Sequence, residues 1–327
     1  MTPSKILLPE KIIAIDWSGR VDASGQRRHI RAAVWTAEKS GAAVRIEGGR
    51  TREEWITWLL EEAKLTPRMV VGIDCCFSYP AWFLEEHGCA TVYDFWRKVA
   101  DGQGERWLAR ECGDARFWGK PGKKPAEFCG DGMPRMMRLT DMENKIAAEL
   151  DAIRAARVRG IAPKSPFQIG GAGSVGTASL RAIPYVLRLH QAGFRAWPFA
   201  DAALDAKKPK PLLIEMYARL LTGAVKKSNA EARAAYLKKK MREDEFYSGL
   251  ARGVVKEAVA SDDVFDALVS AMEMARHPEE FVRLKQTRDK VRRLEGITWV
   301  PHSVKDNRRS LDCACPERSR RTRDDKT

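Results

Sequence analysis

The chain has 327 residues, of which 44% are hydrophobic, so it is long enough and apolar enough to bury a sizeable core. Its 58 Lys and Arg residues outnumber 44 Asp and Glu residues, and the formal net charge of +14 favours an anionic partner such as nucleic acid. The sequence lacks a run of 18 apolar residues and an apolar leader, which argues against a membrane-spanning segment and a signal peptide. We therefore expect a globular, cytoplasmic protein.

The first quarter of the chain predicts a mixed sheet. Segments 11–16, 29–36 and 43–46 are apolar and separated by turn signals, which is typical of an antiparallel meander. A helix follows over 51–64, opened by a capping box of Thr51 and Glu54, and a fourth strand covers 70–74. That order places the fourth strand beside the first through a right-handed crossover, so Asp16 and Asp74 should end neighbouring strands at one sheet edge.

Residues 81–166 form a large helical and irregular insertion rich in aromatic and basic side chains. Two interpretations are open: a subdomain whose aromatic rings stack on bases, or an elaboration packed with its own aromatic rings. Within it, Thr140 and Glu143 form a capping box that predicts a helix over 140–157.

The second half of the chain predicts further helices and strands. Helices are expected over 180–190, over 228–242 with a Ser228/Glu231 capping box, from Ser261 to before Pro278, and over 279–294. Strand candidates are 194–199, 212–217 and 297–300. We expect an extension over 1–10, one domain over 11–302, and a disordered basic tail over 303–327.

Five acidic residues are the candidate catalytic groups. Asp16, Asp74 and Glu215 lie within or at the end of apolar strands, while Asp263 and Asp266 lie three apart on the helix that begins near 262. A carboxylate at the end of a buried strand is costly unless it is paired or bound to a cation. Asp16, Asp74, Asp263 and Asp266 are therefore expected to hold Mg²⁺ or Mn²⁺, with Asp16 shared between two ions.

Three of these acids also have a simpler explanation. Acids in a helix's first turn stabilise the helix dipole, which accounts for Asp263 without catalysis. Asp74 could cap the turn that follows it, and Glu215 could form an ordinary salt bridge.

Five segments in this order resemble domain-of-unknown-function family 429, a family of predicted ribonuclease H-like nucleases. They are IAIDWSG, VVGIDCCFSYP, QIGGAGSVGTASLRAIPYVLRL, LLIEMYA and SDDVFDALVSAMEMA, and the resemblance covers residues 11 to about 301. It implies a ribonuclease H-like α/β fold with Asp16, Asp74 and Asp266 as metal ligands. The chain departs from the family's pattern in its aromatic insertion and in Cys75 and Cys76, where a small residue and Pro would be more typical.

Gly171, Gly173 and Gly176 match a GxGxxG pattern ahead of a helix. The pattern is compatible with a loop that binds the phosphate of a substrate, with a dinucleotide site, or with a purely structural loop. The segment before it is a poor strand containing Pro166, which disfavours the dinucleotide site.

The sequence thus favours a metal-dependent nuclease that acts on RNA, DNA or a hybrid. One alternative is an ATP-dependent phosphotransferase of the sugar-kinase and actin type, which should carry a second strand-Asp-Gly hairpin that the sequence lacks. The other alternative is a catalytically silent nucleic-acid-binding protein, whose basic residues over 283–293 would suffice for binding phosphates.

Overall fold

The computed structural model describes residues 6–38, 41–109, 112–119, 123–155, 162–171 and 174–302. The predicted tail over 303–327 and Gly173 of the glycine-rich segment lie outside the described residues.

A six-stranded mixed sheet forms the centre of the molecule. Its strands are β1 (Lys11–Asp16), β2 (Arg31–Glu38), β3 (Gly41–Glu47), β4 (Met69–Asp74), β5 (Arg195–Ala196) and β6 (Leu212–Met216). They lie in the order β3-β2-β1-β4-β6-β5, with β2 antiparallel to β1 and β3, and with β4, β6 and β5 parallel to β1. The predicted α/β class, the antiparallel meander and the return of the fourth strand beside the first are confirmed.

Helices flank this sheet. They are α1 (Ala23–His29), α2 (Arg52–Leu65), α3 (Ala81–Glu86), α4 (Val92–Lys98), α5 (Gly104–Leu108), α6 (Leu139–Ala155), α7 (Val175–Gln191), α8 (Ala218–Thr222), α9 (Ala230–Glu243), α10 (Glu245–Ser248), α11 (Arg252–Ala260), α12 (Asp262–Ala275), α13 (Pro278–Arg283) and α14 (Arg292–Glu295). A π-helical turn covers Val99–Gln103, and 3₁₀ turns cover Ala126–Phe128 and Gly130–Met136. None of the described helices has both the length and the apolar character needed to cross a bilayer.

Two apolar cores lie on opposite faces of the sheet. Because successive side chains of a strand point to opposite faces, Ile13 and Ile15 of β1 join the core that contains α2 and α7, whereas Ile12 and Ala14 join the core that contains α12. All four side chains are fully buried. This explains why β1 is an almost continuous apolar run that ends in Asp16.

The insertion packs mainly on its own aromatic rings. Tyr79, just before it, lies within 5.2 to 5.9 Å of four other rings, measured between ring centres. Trp96 and Trp107 are buried in the same core, whereas Trp82 and Tyr93 are partly accessible. The guanidinium group of Arg135 lies 5.0 Å from the ring centre of Trp82. The geometry supports the packing interpretation for the buried rings.

Several predicted boundaries differ from the structure. The turn predicted after β1 contains helix α1, which Asp22 caps by accepting a hydrogen bond from Gly25 N–H at 2.6 Å. The capping box predicted at Thr140 is wrong because α6 begins before it, and the Thr140 hydroxyl accepts a hydrogen bond from Thr298 N–H at 3.2 Å. Asn229, one residue after the predicted Ser228, caps α9.

The continuous helix predicted over 279–294 is wrong. The chain forms α13 and α14 with an irregular segment between them. In that segment Gln286 N–H donates to Asp201 Oδ1 at 2.7 Å and Thr287 N–H donates to the Pro198 carbonyl at 3.0 Å. These tertiary hydrogen bonds replace the helical ones. The strand candidate over 297–300 contributes a single bridge between Thr298 and Glu215, and the candidate over 194–199 shortens to β5.

Candidate acidic site at the strand ends

Asp16 and Asp74 leave the sheet side by side. β1 and β4 are parallel neighbours in which Ile15 pairs with Ile73, so the next residue of each strand lies at the same edge. Both carboxylates are partly buried, and a backbone hydrogen bond from Ala218, at the start of α8, reaches Asp74. The pairing of β1 with β4 therefore places Asp16 and Asp74 side by side, as the sequence predicts.

Asp266 approaches them from α12. Ser261 caps this helix, its side chain accepting a hydrogen bond from Val264 N–H at 3.3 Å, and the helix packs on β1 and β2. Asp266 is fully buried, and its Oδ2 accepts a hydrogen bond from Lys227 Nζ. Its Oδ1 has no hydrogen-bond partner among the described residues. One buried acceptor of the cluster is therefore left unsatisfied.

The pKa shifts show that these carboxyls interact. Burial and the charges of Asp266 and Asp74 raise the pKa of Asp16 well above its ordinary range, and the charge of Asp263 adds to the shift. Burial, with Asp266 next, raises the pKa of Asp74 to about 7. Burial also raises the pKa of Asp266, against the opposing effect of Lys227. Like charges are crowded here and would be stabilised by a cation.

Lys227 is the cation that these carboxylates share in the structure. Burial alone would lower the pKa of Lys227, but the charges of Asp266 and Asp16 outweigh burial and raise it. Its backbone carbonyl accepts a hydrogen bond from Arg233 of α9, which also donates to the Val259 carbonyl through Nη2 at 2.6 Å. The loop before α9 is thereby fixed against the end of α11, which places the ammonium group beside Asp266.

Asp263 lies at the edge of the cluster. Its Oδ2 is 3.0 Å from Nδ1 of His29, the last residue of α1, and both side chains are partly accessible to solvent. The charge of Asp263 contributes to the raised pKa of Asp16, which shows that it belongs to the same electrostatic neighbourhood. Its direct partner is His29 and not the other acids.

Glu215 has a different role in the structure. Its Oε1 accepts hydrogen bonds from Arg138 Nη2 at 2.6 Å and the Thr298 hydroxyl at 2.6 Å, and its Oε2 accepts from Arg138 Nη1 at 2.7 Å and Phe77 N–H at 2.8 Å. Four donors use the four lone-pair positions of a carboxylate. The sequence made Glu215 a candidate catalytic group, and in the structure its carboxylate is committed to these four donors.

Arg138 holds this second network together. It is fully buried, and its five N–H groups donate to Glu215, Asp141 and the carbonyl of Glu295. The side chain of Glu295 accepts hydrogen bonds from Ala81 N–H at 2.8 Å and Leu139 N–H at 2.6 Å. The network joins the insertion to β6 and to the segment around α14.

We expect Arg138→Met to destabilise the fold strongly. It would leave the carboxylates of Glu215 and Asp141 buried without their cation, and breaking a buried ion pair in this way costs about 3–5 kcal/mol. Chemical denaturation measures the change. Arg242→Met is the matched control, because Arg242 is 71% exposed, and it should alter the free energy of unfolding by less than about 0.5 kcal/mol. Equal stability of both variants would contradict the role given to Arg138.

The backbone conformation and packing account for two glycines of the glycine-rich segment. Gly171 has a φ of +82°, which side chains rarely adopt. Gly176 N–H donates to the Gln168 carbonyl at 3.0 Å, and a Cβ at Gly176 would lie 2.2 Å from the Pro166 carbonyl oxygen. Helix α7 begins at Val175, five residues before the predicted start at 180.

The raised pKa of Asp74 predicts a pH dependence of stability without divalent cations. The folded state keeps the Asp74 proton up to a pKa of about 7, whereas the unfolded chain loses it near the ordinary value of 3.8. The folded state thus binds more protons in between, so the free energy of unfolding should fall as the pH rises from about 4 to about 7. Urea denaturation in EDTA measures this fall, and Asp74→Asn should reduce it. An unchanged slope in the variant would contradict the shift.

The chemistry of the cluster suits a hard divalent cation. Carboxylate oxygens are the ligands that Mg²⁺ and Mn²⁺ prefer, and the unpartnered Oδ1 of Asp266 is available to one. Yet nowhere in the described part of the chain are three or more His, Cys, Asp or Glu side chains arranged so that they could hold a metal ion. Lys227 places a positive charge within the acidic cluster. Metal binding would require its ammonium group to move away from Asp266.

Three polar residues around the site were not singled out from the sequence. They are Lys227, His29 and Arg138, whose acidic partners are 39, 234 and 77 residues away in the chain. His29 ends α1 and Arg138 directly precedes α6, and only contacts made in the folded chain distinguish these three residues from the other basic residues.

The fold and site define an α/β protein with a mixed sheet and a cluster of interacting acids at the ends of two parallel strands. No family model matches the chain, and no curated protein and no solved structure matches it either.

Proposed function

We propose that the protein is a divalent-metal-dependent nuclease that hydrolyses phosphodiester bonds of nucleic acid. The observation that carries this proposal is that Asp16 and Asp74, from two adjacent strands, interact electrostatically with Asp266 from α12. One buried oxygen of Asp266 also has no hydrogen-bond partner among the described residues. Three carboxylates whose pKa values are raised by burial and by their neighbours' charges are costly to keep together, which favours a functional explanation.

In this proposal Asp16, Asp74 and Asp266 would hold Mg²⁺ or Mn²⁺. When bound, such an ion activates water and offsets negative charge at the phosphate that is attacked. Asp16 and Asp74 provide oxygens fixed by the sheet, Asp266 provides the buried oxygen, and Asp263 lies at the rim beside His29. Once the carboxylates are neutralised, Lys227 becomes free to contact a phosphate oxygen.

The same observations support a ribonuclease H-like assignment. The resemblance to domain-of-unknown-function family 429 implies Asp16 on the first strand, Asp74 on the fourth strand and Asp266 on the last helix as ligands. The mixed sheet and the position of α12 against β1 and β2 are compatible with that assignment. We propose it as the fold family of this chain.

Nucleic acid is the proposed partner because the basic residues near the C-terminal end of the described chain are accessible. They are Arg283, Lys285, Arg288, Lys290 and Arg293, all of which are exposed. Such cations bind phosphates without reading base sequence, and binding through them should weaken as salt rises.

A second candidate is a catalytically silent nucleic-acid-binding protein, and Lys227 is the observation that favours it. A lysine that pairs with Asp266 can neutralise the acids permanently, so that the cluster stabilises the fold and needs no metal. The phosphotransferase alternative is less well supported, since the described residues form one sheet and not the two repeated units of that architecture.

Cleavage of labelled single-stranded, duplex, hybrid and junction substrates tests the proposal. With Mg²⁺ or Mn²⁺ the protein should cleave at least one of these substrates, and EDTA should stop the reaction. Salt-sensitive binding without cleavage under any of these conditions would favour the silent binding protein instead.

A further inference from the structure

A cavity of about 340 Å³ lies beside the acidic cluster. Asp74 and Lys227 are among the residues that line it, and so are Ser174 and Val175 at the start of α7. Its volume is at the lower end of the range of small-molecule sites, which runs from about 300 to 1,000 Å³. The cavity has room for one small ligand next to the proposed reaction centre.

Part of the cavity lining is a polar network whose groups are largely used within the protein. Arg138, Asp141 and Glu215 all line the cavity. However, Arg138 uses all five of its N–H groups within the protein, and Glu215 accepts four hydrogen bonds. These residues form a rigid, satisfied base.

The cations that remain for a ligand are Lys164 and Arg219. Lys164 is exposed, and the described residues provide it with no hydrogen-bond or ion-pair partner. Arg219 donates through Nη1 to the Val225 carbonyl at 2.6 Å and keeps its other N–H groups available within the described structure. Lys227 also lines the cavity but is paired with Asp266, so Lys164 and Arg219 are the two cations that a phosphate group would contact.

Part of the wall is apolar. Trp17, Pro163 and Met216 contribute to it, and the buried Nε1–H of Trp17 has no acceptor among the described residues. The start of α7 adds the positive end of a 17-residue helix whose cap residue, Ser174, makes no side-chain capping hydrogen bond. An anionic group and an apolar ring are therefore accommodated in one cavity.

We infer that this cavity binds a single unpaired nucleotide of the substrate, with the phosphate at Lys164 and Arg219 and the base against the apolar wall. The inference rests on the proposed function for the identity of the substrate, since it makes the cavity the position next to the bond that is cleaved. It specifies that the substrate presents an unpaired nucleotide, because a base pair does not fit a cavity of this size.

Binding of 5′-AMP, adenosine and inorganic phosphate to the full chain, measured by calorimetry in EDTA, tests this inference without cleavage. We expect 5′-AMP to bind at least about tenfold more tightly than adenosine or phosphate alone. Lys164→Gln should weaken 5′-AMP binding about tenfold, and Lys164→Arg should restore most of it. Lys238→Gln, which removes an exposed cation from α9, is the matched control and should leave binding unchanged.

Val175→Trp provides an independent test because it fills the cavity from a partly exposed position. It should abolish 5′-AMP binding while circular dichroism and melting temperature stay those of the wild type. Binding of 5′-AMP no tighter than phosphate, or binding unaffected by both Lys164→Gln and Val175→Trp, would overturn the inference. If Val175→Trp unfolds the protein, the Lys164 variants alone decide whether the inference holds.

The outcomes separate this inference from the proposed function. Asp16 does not line the cavity, so loss of cleavage in Asp16→Asn reports on the proposed function and not on the nucleotide site. Normal 5′-AMP binding in a protein that cleaves nothing would refute the nuclease and leave the nucleotide site standing. Cleavage inside duplexes by a protein that does not bind 5′-AMP would refute the nucleotide site and leave the nuclease standing.

Discussion

Replacing Asp16 by Asn should abolish cleavage and, without divalent cations, make the protein more stable. The proposed reaction loses a ligand oxygen, so the rate should fall by more than the tenfold to about hundredfold that follows loss of a supporting residue near a metal. The pKa of the Asp16 carboxyl is raised by burial and by the charges of Asp266 and Asp74. Removing this carboxyl therefore removes its repulsion with those two acids from the folded state. Cleavage assays and thermal melting in EDTA measure the two effects on the same sample.

Loss of cleavage together with a gain in stability distinguishes a functional acid from a structural one. Asp205→Asn is the matched control, because Asp205 is exposed and has no partner among the described residues, and it should change neither quantity. A variant at Asp16 that is less stable than the wild type in EDTA would show that this carboxylate supports the fold. Full activity in the Asp16 variant would remove it from the site.

Replacing Lys227 by Met should destabilise the metal-free protein and make its stability depend strongly on divalent cations. Asp266 is fully buried and loses its cation. We expect a loss of about 2–3 kcal/mol, less than for a fully buried pair, because the Lys227 side chain is 34% exposed. Added Mn²⁺ should restore the lost stability, since a ligand that binds only the folded state raises the free energy of unfolding.

Denaturation of wild type and variant with and without Mn²⁺ measures this dependence. Lys238→Met, on the exposed face of α9, is the control and should behave like the wild type. If Mn²⁺ stabilises the Lys227 variant no more than the wild type, the carboxylates do not bind the ion. Lys227 would then be a permanent counter-ion, and the silent binding protein would become the better account.

The strands and their acids were predictable because their signals are local. β1, β4 and β6 are apolar runs, and the chain order of three strands, a helix and a fourth strand leaves few ways to arrange them. The capping box of Thr51 and Glu54 was also predicted, and Glu54 N–H donates to the Thr51 hydroxyl at 3.4 Å. Each of these strands, and the capping box, is encoded within about 20 residues of sequence.

The features that were missed depend on contacts between distant parts of the chain. The segment after α13 has helical composition, but hydrogen bonds to Asp201 and Pro198 hold it in an irregular conformation. The position of Lys227, in the loop before α9, depends on Arg233 of α9 and on Asp266 of α12. A basic residue in a polar loop gives no sign in the sequence that it faces a buried carboxylate.

Glu215 illustrates the same limit from the opposite side. It lies in an apolar strand next to β4, as Asp16 and Asp74 lie in theirs, so the sequence cannot separate the three. What separates them is Arg138, 77 residues earlier in the chain, which satisfies Glu215 and leaves the other two without a bidentate partner in the described structure.

Direct binding of Mn²⁺, measured by electron paramagnetic resonance or calorimetry at neutral pH, tests the central claim most directly. We predict saturable binding that Asp16→Asn and Asp266→Asn each weaken by at least about tenfold and that Asp205→Asn leaves unchanged. Equal, weak Mn²⁺ binding by all four proteins would contradict the metal site at the strand ends.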